Sequence, residues 1–416
     1  MRVRSCPSCH GRWCAAFGPR TRARRTDCED APCARRRTDC EDSPRARRRS
    51  GIARRLGSQL RRGAPPDACV SCGDEPVVAD SQIGVIDCGI HAVVADLATL
   101  AAHAPARVRE RLAGGGARGR GSGTPALGPT GADPVAVRRE VFDEFGIARG
   151  VLLAIPAYAP QSEIEVAAAI ASATNNWQIE RWLEAETRLR GSIAIASEEA
   201  DLAVAEIERH AGDSRFAQIQ IVGRSRSPLG NPKYWPIYEA AANAGLPVAI
   251  HPAGDGDYPA TGAGWPSFDL EERIVPACAM QANLVSLVCE GVFARFPGLR
   301  VLCSGAGFAW SPSLIWRLDA SWRLLRDEVP DLTRPPSEYI REQVWWTTQP
   351  MAEPTRSEYP LALFDQFAFD DRLVFASGYP GPDFNALDTA LPADLPEATR
   401  QRIARQNAID LYRGRV

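Results

Sequence analysis

The sequence predicts a closed (β/α)8 TIM barrel, and three observations carry that expectation. Beyond Asp80, short β-rich apolar runs recur eight times, amphipathic helical stretches separate them, and the span 81–416 suits such a barrel once insertions are allowed. Alternation of strands with helices implies a parallel sheet, because two parallel strands need a crossover between them.

The eight runs, in order, are VIDC (85–88), GVLLAI (150–155), SIAIA (192–196), AQIQIV (217–222), PVAI (247–250), RVLC (300–303), VWWTT (344–348) and LVFAS (373–377). Between them, Val166, Ile170, Ala173 and Trp177 fall on one helical face, and Ile403, Asn407 and Leu411 do so near the end of the chain. One insertion, GGGARGRGSGTPALGPTGADP (114–134), is rich in Gly and Pro and reads as a flexible loop. Its GRGSG does not join a strand to a helix, so it is not a phosphate-binding fingerprint.

Residues 1–80 obey other rules. They hold 18 Arg against 10 acidic residues, about +8 of a net charge of −2, and eight of the twelve cysteines. RRTDCEDAPCAR and RRTDCEDSPRAR form a tandem polar repeat. Such a composition cannot bury enough apolar area to offset ordering entropy, so a disordered Arg/Cys-rich extension is expected. CPSCH (6–10) matches a covalent haem pattern, but no apolar signal region for export is present. CPSC and CVSC (Cys69, Cys72) lie too far apart for a zinc ribbon. The arginine clusters alternate with acidic blocks and lack interleaved aromatics, which argues against nucleic acid. No apolar run is long enough to span a bilayer.

In barrels of this kind the working groups stand at the C-terminal ends of the strands. Read in order, those ends give Gly89 and His91, Tyr158, Arg224, His251, Gly305, Gln349 and Gly378. Two of only five histidines land there. His103 and His210 sit in polar helical contexts and are expected at the surface.

The segment from about Ile83 to Tyr412 resembles the amidohydrolase-related family, in the branch containing aminocarboxymuconate-semialdehyde decarboxylase and related aromatic-acid decarboxylases. The stretches that carry the resemblance are PLGNPKYWPIYEAAANAGLPVAIHPAG, SLVCEGVFARFPGLRVLCSGAGFAWSPSLIWRLD, RPPSEYIREQVWWTTQP, FASGYPGPDF and RQNAIDLY. The resemblance implies a (β/α)8 barrel of the metal-dependent hydrolase type and a divalent metal, zinc, among whose ligands His91 and His251 would stand. It further implies an acid or His at the first strand where Gly89 stands, a His or Glu at the sixth where Gly305 stands, and an Asp at the eighth where Gly378 stands. Asp383 is the acid left near that last position.

Each candidate has a plainer reading. Asp87 is either drawn toward the gap or a buried strand carboxylate tied by hydrogen bonds. Asp383 is either a catalytic acid or a helix N-cap. Arg224 is either a fork for an anionic substrate or an arginine in the loop RSRSPLG. Trp235, Trp265, Trp310, Trp345 and Trp346 either line an aromatic pocket or pack in the core and at a subunit interface. Cys88, Cys278, Cys289 and Cys303 occur in contexts typical of reduced buried thiols, which fits a cytoplasmic address.

The leading expectation is metal-assisted hydrolysis or nonoxidative decarboxylation of a small carboxylic acid, with His91 and His251 as metal residues and Asp383 and Arg224 as catalytic candidates. The alternative is a noncatalytic barrel, a pseudoenzyme that binds a ligand or partner without metal. Family analogy adds homo-oligomerisation through the tryptophan-bearing segments.

Overall fold

The computed structural model describes residues 84–94, 97–113, 133–155, 164–252, 259, 261–351, 356, 358–367, 369–381, 384 and 386–416. The N-terminal extension, most of the Gly/Pro-rich insertion, Tyr158 and Asp383 lie outside them.

Eight strands form one sheet in strict sequence order, each parallel to the next. They are β1 (Ile86–Val93), β2 (Arg149–Ile155), β3 (Leu189–Ala194), β4 (Phe216–Val222), β5 (Val248–His251), β6 (Val301–Cys303), β7 (Val344–Thr347) and β8 (Leu373–Val374). The sheet closes on itself. Cys88 N–H donates to Phe375 O (2.8 Å), Gly378 N–H to Gly89 O (3.0 Å) and His91 N–H to Tyr379 O (2.7 Å), so β1 is paired with the segment that leaves β8. The expected barrel is therefore the observed fold, with strand limits shifted by at most three residues except at the end of β1, which runs five residues further.

The strands read as near-continuous apolar runs because both faces are covered. Outward residues such as Ile90, Leu152, Ile193, Ile219, Ile250 and Phe375 pack against the surrounding helices. Val166, Ile170, Ala173 and Trp177, on the helix Ile164–Gln178, are all buried there, as their spacing requires. Inward residues Ile86, Cys88, Val151, Ala249, Leu302, Trp345 and Val374 make a separate cluster with Ala408, Leu411 and Tyr412 of the last helix, Asn407–Tyr412. That helix plugs the barrel floor. Tyr412 Oη donates to Gln218 Oε1 (3.0 Å), and Asn407 Nδ2 donates to the carbonyls of Asp370 and Leu373 (2.7 Å each). With the floor sealed by apolar packing, the open end is at the C-terminal ends of the strands.

Three expectations are corrected. His210 is buried, its ring 4.9 Å from that of Phe216 and its Nε2 3.2 Å from Glu206, because its helix turns that face toward β4. His103 is half-buried beside Glu180. Cys278 and Cys289 are exposed, on the solvent face of the helix Asp269–Cys289, whereas Cys88 and Cys303 are buried as expected.

Candidate functional site at the strand ends

β1 and β5 bring His91 and His251 together. Their rings stand 5.4 Å apart, centroid to centroid, at an interplanar angle of 80°. His251 ends β5 and is buried; His91 reaches the mouth, but its imidazole is enclosed. Burial holds the His91 pKa down at about 4, so the ring is neutral at physiological pH and its nitrogens are available as donor and acceptor.

Glycines surround this pair. Gly305, after β6, has φ +67°, and a Cβ there would lie 2.7 Å from His251 Nε2. Gly378, after β8, has φ +70°, and a Cβ there would meet Gln349 Cδ at 2.8 Å. A Cβ on Gly89 would lie 2.8 Å from Ala376 Cβ. The turn Gly378–Gly381 is closed by Gly381 N–H donating to Gly378 O (2.7 Å), and its far end approaches His91 Nδ1.

Asp87 does not move into this gap. Its Oδ1 accepts from the backbone N–H groups of Gly89 and Ser377, both at 3.0 Å, which ties β1 to the strand-8 side of the seam. Its Oδ2 is buried with no hydrogen-bond partner. Burial raises its pKa against the opposing effect of those hydrogen bonds. A raised carboxyl pKa means the folded state holds a proton that the unfolded chain has lost, so this contribution to stability is present at low pH. It declines as pH rises from the unfolded value near 4 through the folded one. Asp87→Asn keeps the Oδ1 acceptor and removes the charge. Its melting temperature relative to wild type should therefore improve as pH rises above the unfolded value near 4 and level off once pH has passed the folded one, a trend that calorimetry across a pH series checks.

Arg224, two residues past β4, is not a free clamp. Its side chain is 6 % exposed and is ion-paired with Glu272 of the helix Asp269–Cys289. The same loop is fastened to that helix further along: Asn283 Nδ2 donates to Gly223 O (2.8 Å), Leu229 N–H to Asn283 Oδ1 (3.1 Å) and Gly230 N–H to Ser286 Oγ (3.1 Å).

The tryptophans form no common pocket. Trp235 Nε1 donates to Gly230 O, Trp310 Nε1 to Ala306 O, Trp345 lies in the floor cluster and Trp265 is half-exposed. Trp346 points outward and, with Trp316, Asp319, Arg341 and Arg372, lines a cavity of about 280 Å³ outside the barrel. Gln349, read from the sequence as the end of the seventh strand, lies against Gly378.

An eight-stranded parallel barrel with a sealed floor and two convergent histidines at the strand ends defines a barrel protein whose site is its C-terminal mouth. The family model described as amidohydrolase matches residues 86–414, and the chain belongs to that family. It is 25% identical over 298 residues, 66% of this chain and 86% of the relative, to gamma-resorcylate decarboxylase of Polaromonas sp. strain JS666. Among solved structures, an amidohydrolase from Mycobacterium avium subsp. paratuberculosis K-10 superposes with a TM-score of 0.64 at 19% identity, covering 80% of this chain and 99% of that one. The 5-carboxyvanillate decarboxylase of Novosphingobium aromaticivorans, solved with manganese and 4-hydroxy-3-methoxy-5-nitrobenzoic acid, gives 0.62 at 19% identity, covering 80% and 97%.

A catalytic zinc site uses three protein ligands and an open position. Among the described residues, His91 and His251 come together at the strand ends, and no group of three His, Cys, Asp or Glu side chains with ligating geometry occurs. Asp383, the acid expected near the eighth strand, lies outside those residues. Among those residues, too, no helix is long and apolar enough to cross a membrane.

Proposed function

We propose that this barrel takes a small aromatic or unsaturated carboxylic acid at its C-terminal mouth, with nonoxidative decarboxylation, a C–C lyase reaction, as its activity and hydrolysis as the related alternative. The observation that carries this reading is the collinear relationship to gamma-resorcylate decarboxylase over 86% of that relative's length. The meeting of His91 and His251 at the strand ends supports it. Decarboxylation requires a proton at the carbon that loses CO2, and a neutral imidazole can relay one between its two nitrogens. The zinc expected from the resemblance has no part in this proposal, and manganese is known here only from a relative's structure.

The experiment is CO2 release and loss of ring absorbance with a panel of hydroxybenzoates. His91→Ala and His251→Ala should each lower kcat/KM by about 100-fold or more, the usual scale for a proton-transfer group. Unchanged turnover in both variants would sink the assignment.

The alternative of a noncatalytic barrel that binds a ligand without metal has no support among the relatives, which are decarboxylases. The cytoplasmic address and homo-oligomerisation belong to the same proposal, and sedimentation of the purified chain checks the latter.

A further inference from the structure

The helix Asp269–Cys289 turns an apolar stripe to solvent along its length. Leu270, Ile274, Cys278, Ala282, Val285 and Cys289 recur at three- and four-residue spacing, so they share one face, and all are exposed or half-exposed. A helix packed on a barrel ordinarily keeps a polar face toward water. Here Leu270 and Ile274 are 73 and 65 % exposed, and Phe268, just before the helix, is 72 % exposed. The adjoining helix Ser311–Leu325 adds Leu324 at 84 %. At 1.5 Å per residue the two helices are about 31 and about 22 Å long, and with a width of about 10 Å each they present roughly 500 Å². The approach to the first helix, with Trp265 and Phe268, extends this toward the roughly 800 Å² that each partner buries in a stable association.

The stripe complements itself. Its bulky members, Leu270 and Ile274, lie toward the N-terminal end, the smaller Ala282 and Val285 toward the C-terminal end, and Cys278 stands beside the midpoint. Two copies running antiparallel about a two-fold axis at Cys278 set Ile274 of each against Ala282 of the other, and Leu270 beside Val285. Both helices follow strands of the same parallel sheet, so they run in one direction. The same axis therefore carries Phe268 and Glu271, at one end of the face, toward Leu324 and Arg323, which are exposed at the other. Apolar meets apolar and acid meets base; a parallel pairing would set Glu271 beside Glu271.

We propose that this face is where two copies of the chain pair, antiparallel, with Cys278 next to Cys278. The inference deepens the homo-oligomerisation proposed above and rests on it, while the decarboxylase reading is independent of it.

The test is sedimentation velocity of the full chain in reducing buffer. The wild type is expected to be dimeric, and Ile274→Glu should raise the dimer Kd by about 100-fold or more, the scale of forcing an unpaired charge into an apolar contact. Leu202→Glu, at an exposed position on the helix Ala200–His210, is the control and should remain dimeric. In parallel, a short bismaleimide, which joins two thiols as thioethers, should link the Cys278 peptide to a second copy of itself. Mass spectrometry of the digest detects that product, which only two chains can form. A wild type that is monomeric throughout overturns both the interface and the oligomerisation. A dimer that survives Ile274→Glu overturns this face and leaves the oligomerisation standing. If Ile274→Glu does not fold, absence of the self-linked Cys278 peptide in the wild type overturns the face.

Discussion

Gly230→Ala is expected to destabilise the barrel by about 3 kcal/mol or more, the upper part of the range for forced overpacking. A Cβ at this position would lie 2.2 Å from the carbonyl oxygen of Ser286 and 2.4 Å from its carbon. These are backbone atoms in the last turn of the helix Asp269–Cys289, which cannot rotate aside as a side chain would. Either the helix moves outward or the loop after β4 does, and the Gly230–Ser286 and Leu229–Asn283 hydrogen bonds lengthen together. For a domain of this size the melting temperature should fall by about 6 °C. Gly212→Ala, where nothing lies within 4 Å, is the control and should melt close to wild type. Differential scanning calorimetry on the three proteins decides it; equal melting temperatures would show that the loop and helix are not packed as described.

Glu272→Ala carries the next largest effect, about 2–3 kcal/mol. Removing Glu272 takes an ion-pair partner from a cation whose side chain is 6 % exposed. The expected loss is below that for a fully enclosed pair because Glu272 itself is 28 % exposed. Replacing both residues, Arg224→Met with Glu272→Leu, should recover most of the lost stability, since apolar groups of similar size need no compensation. Urea titration of the two singles and the double gives the coupling directly. If Glu272→Ala is neutral, the pair contributes little to stability.

How far the sequence revealed this molecule varied with the range of the interaction. All eight strands were legible because burial on both faces leaves continuous apolar runs such as FAQIQIV and GVLLAI. The last strand was the least secure in its limits: it pairs over two residues, and the rest of LVFAS runs on into the seam. His91 and His251 were legible as neighbours because position at a strand end is a topological property. The partner of Arg224 was not, since Glu272 follows a whole strand and loop later and sits on a helix with mixed periodicity. The same mixed pattern hid the exposure of Cys278 and Cys289. Asp87 was legible in both its alternatives, and the structure selects the tied carboxylate. The tryptophans misled because size and rarity say nothing about direction; neighbouring Trp345 and Trp346 point to opposite sides of one strand.

The hydrogen bond from Gly378 to Gly89 sets how the barrel is laced shut. A Cβ on Gly89 would press on Ala376 and one on Gly378 would press on Gln349, so the first and last staves approach this closely only because neither residue carries a side chain. The closure of the barrel is in this sense written in two missing methyl groups.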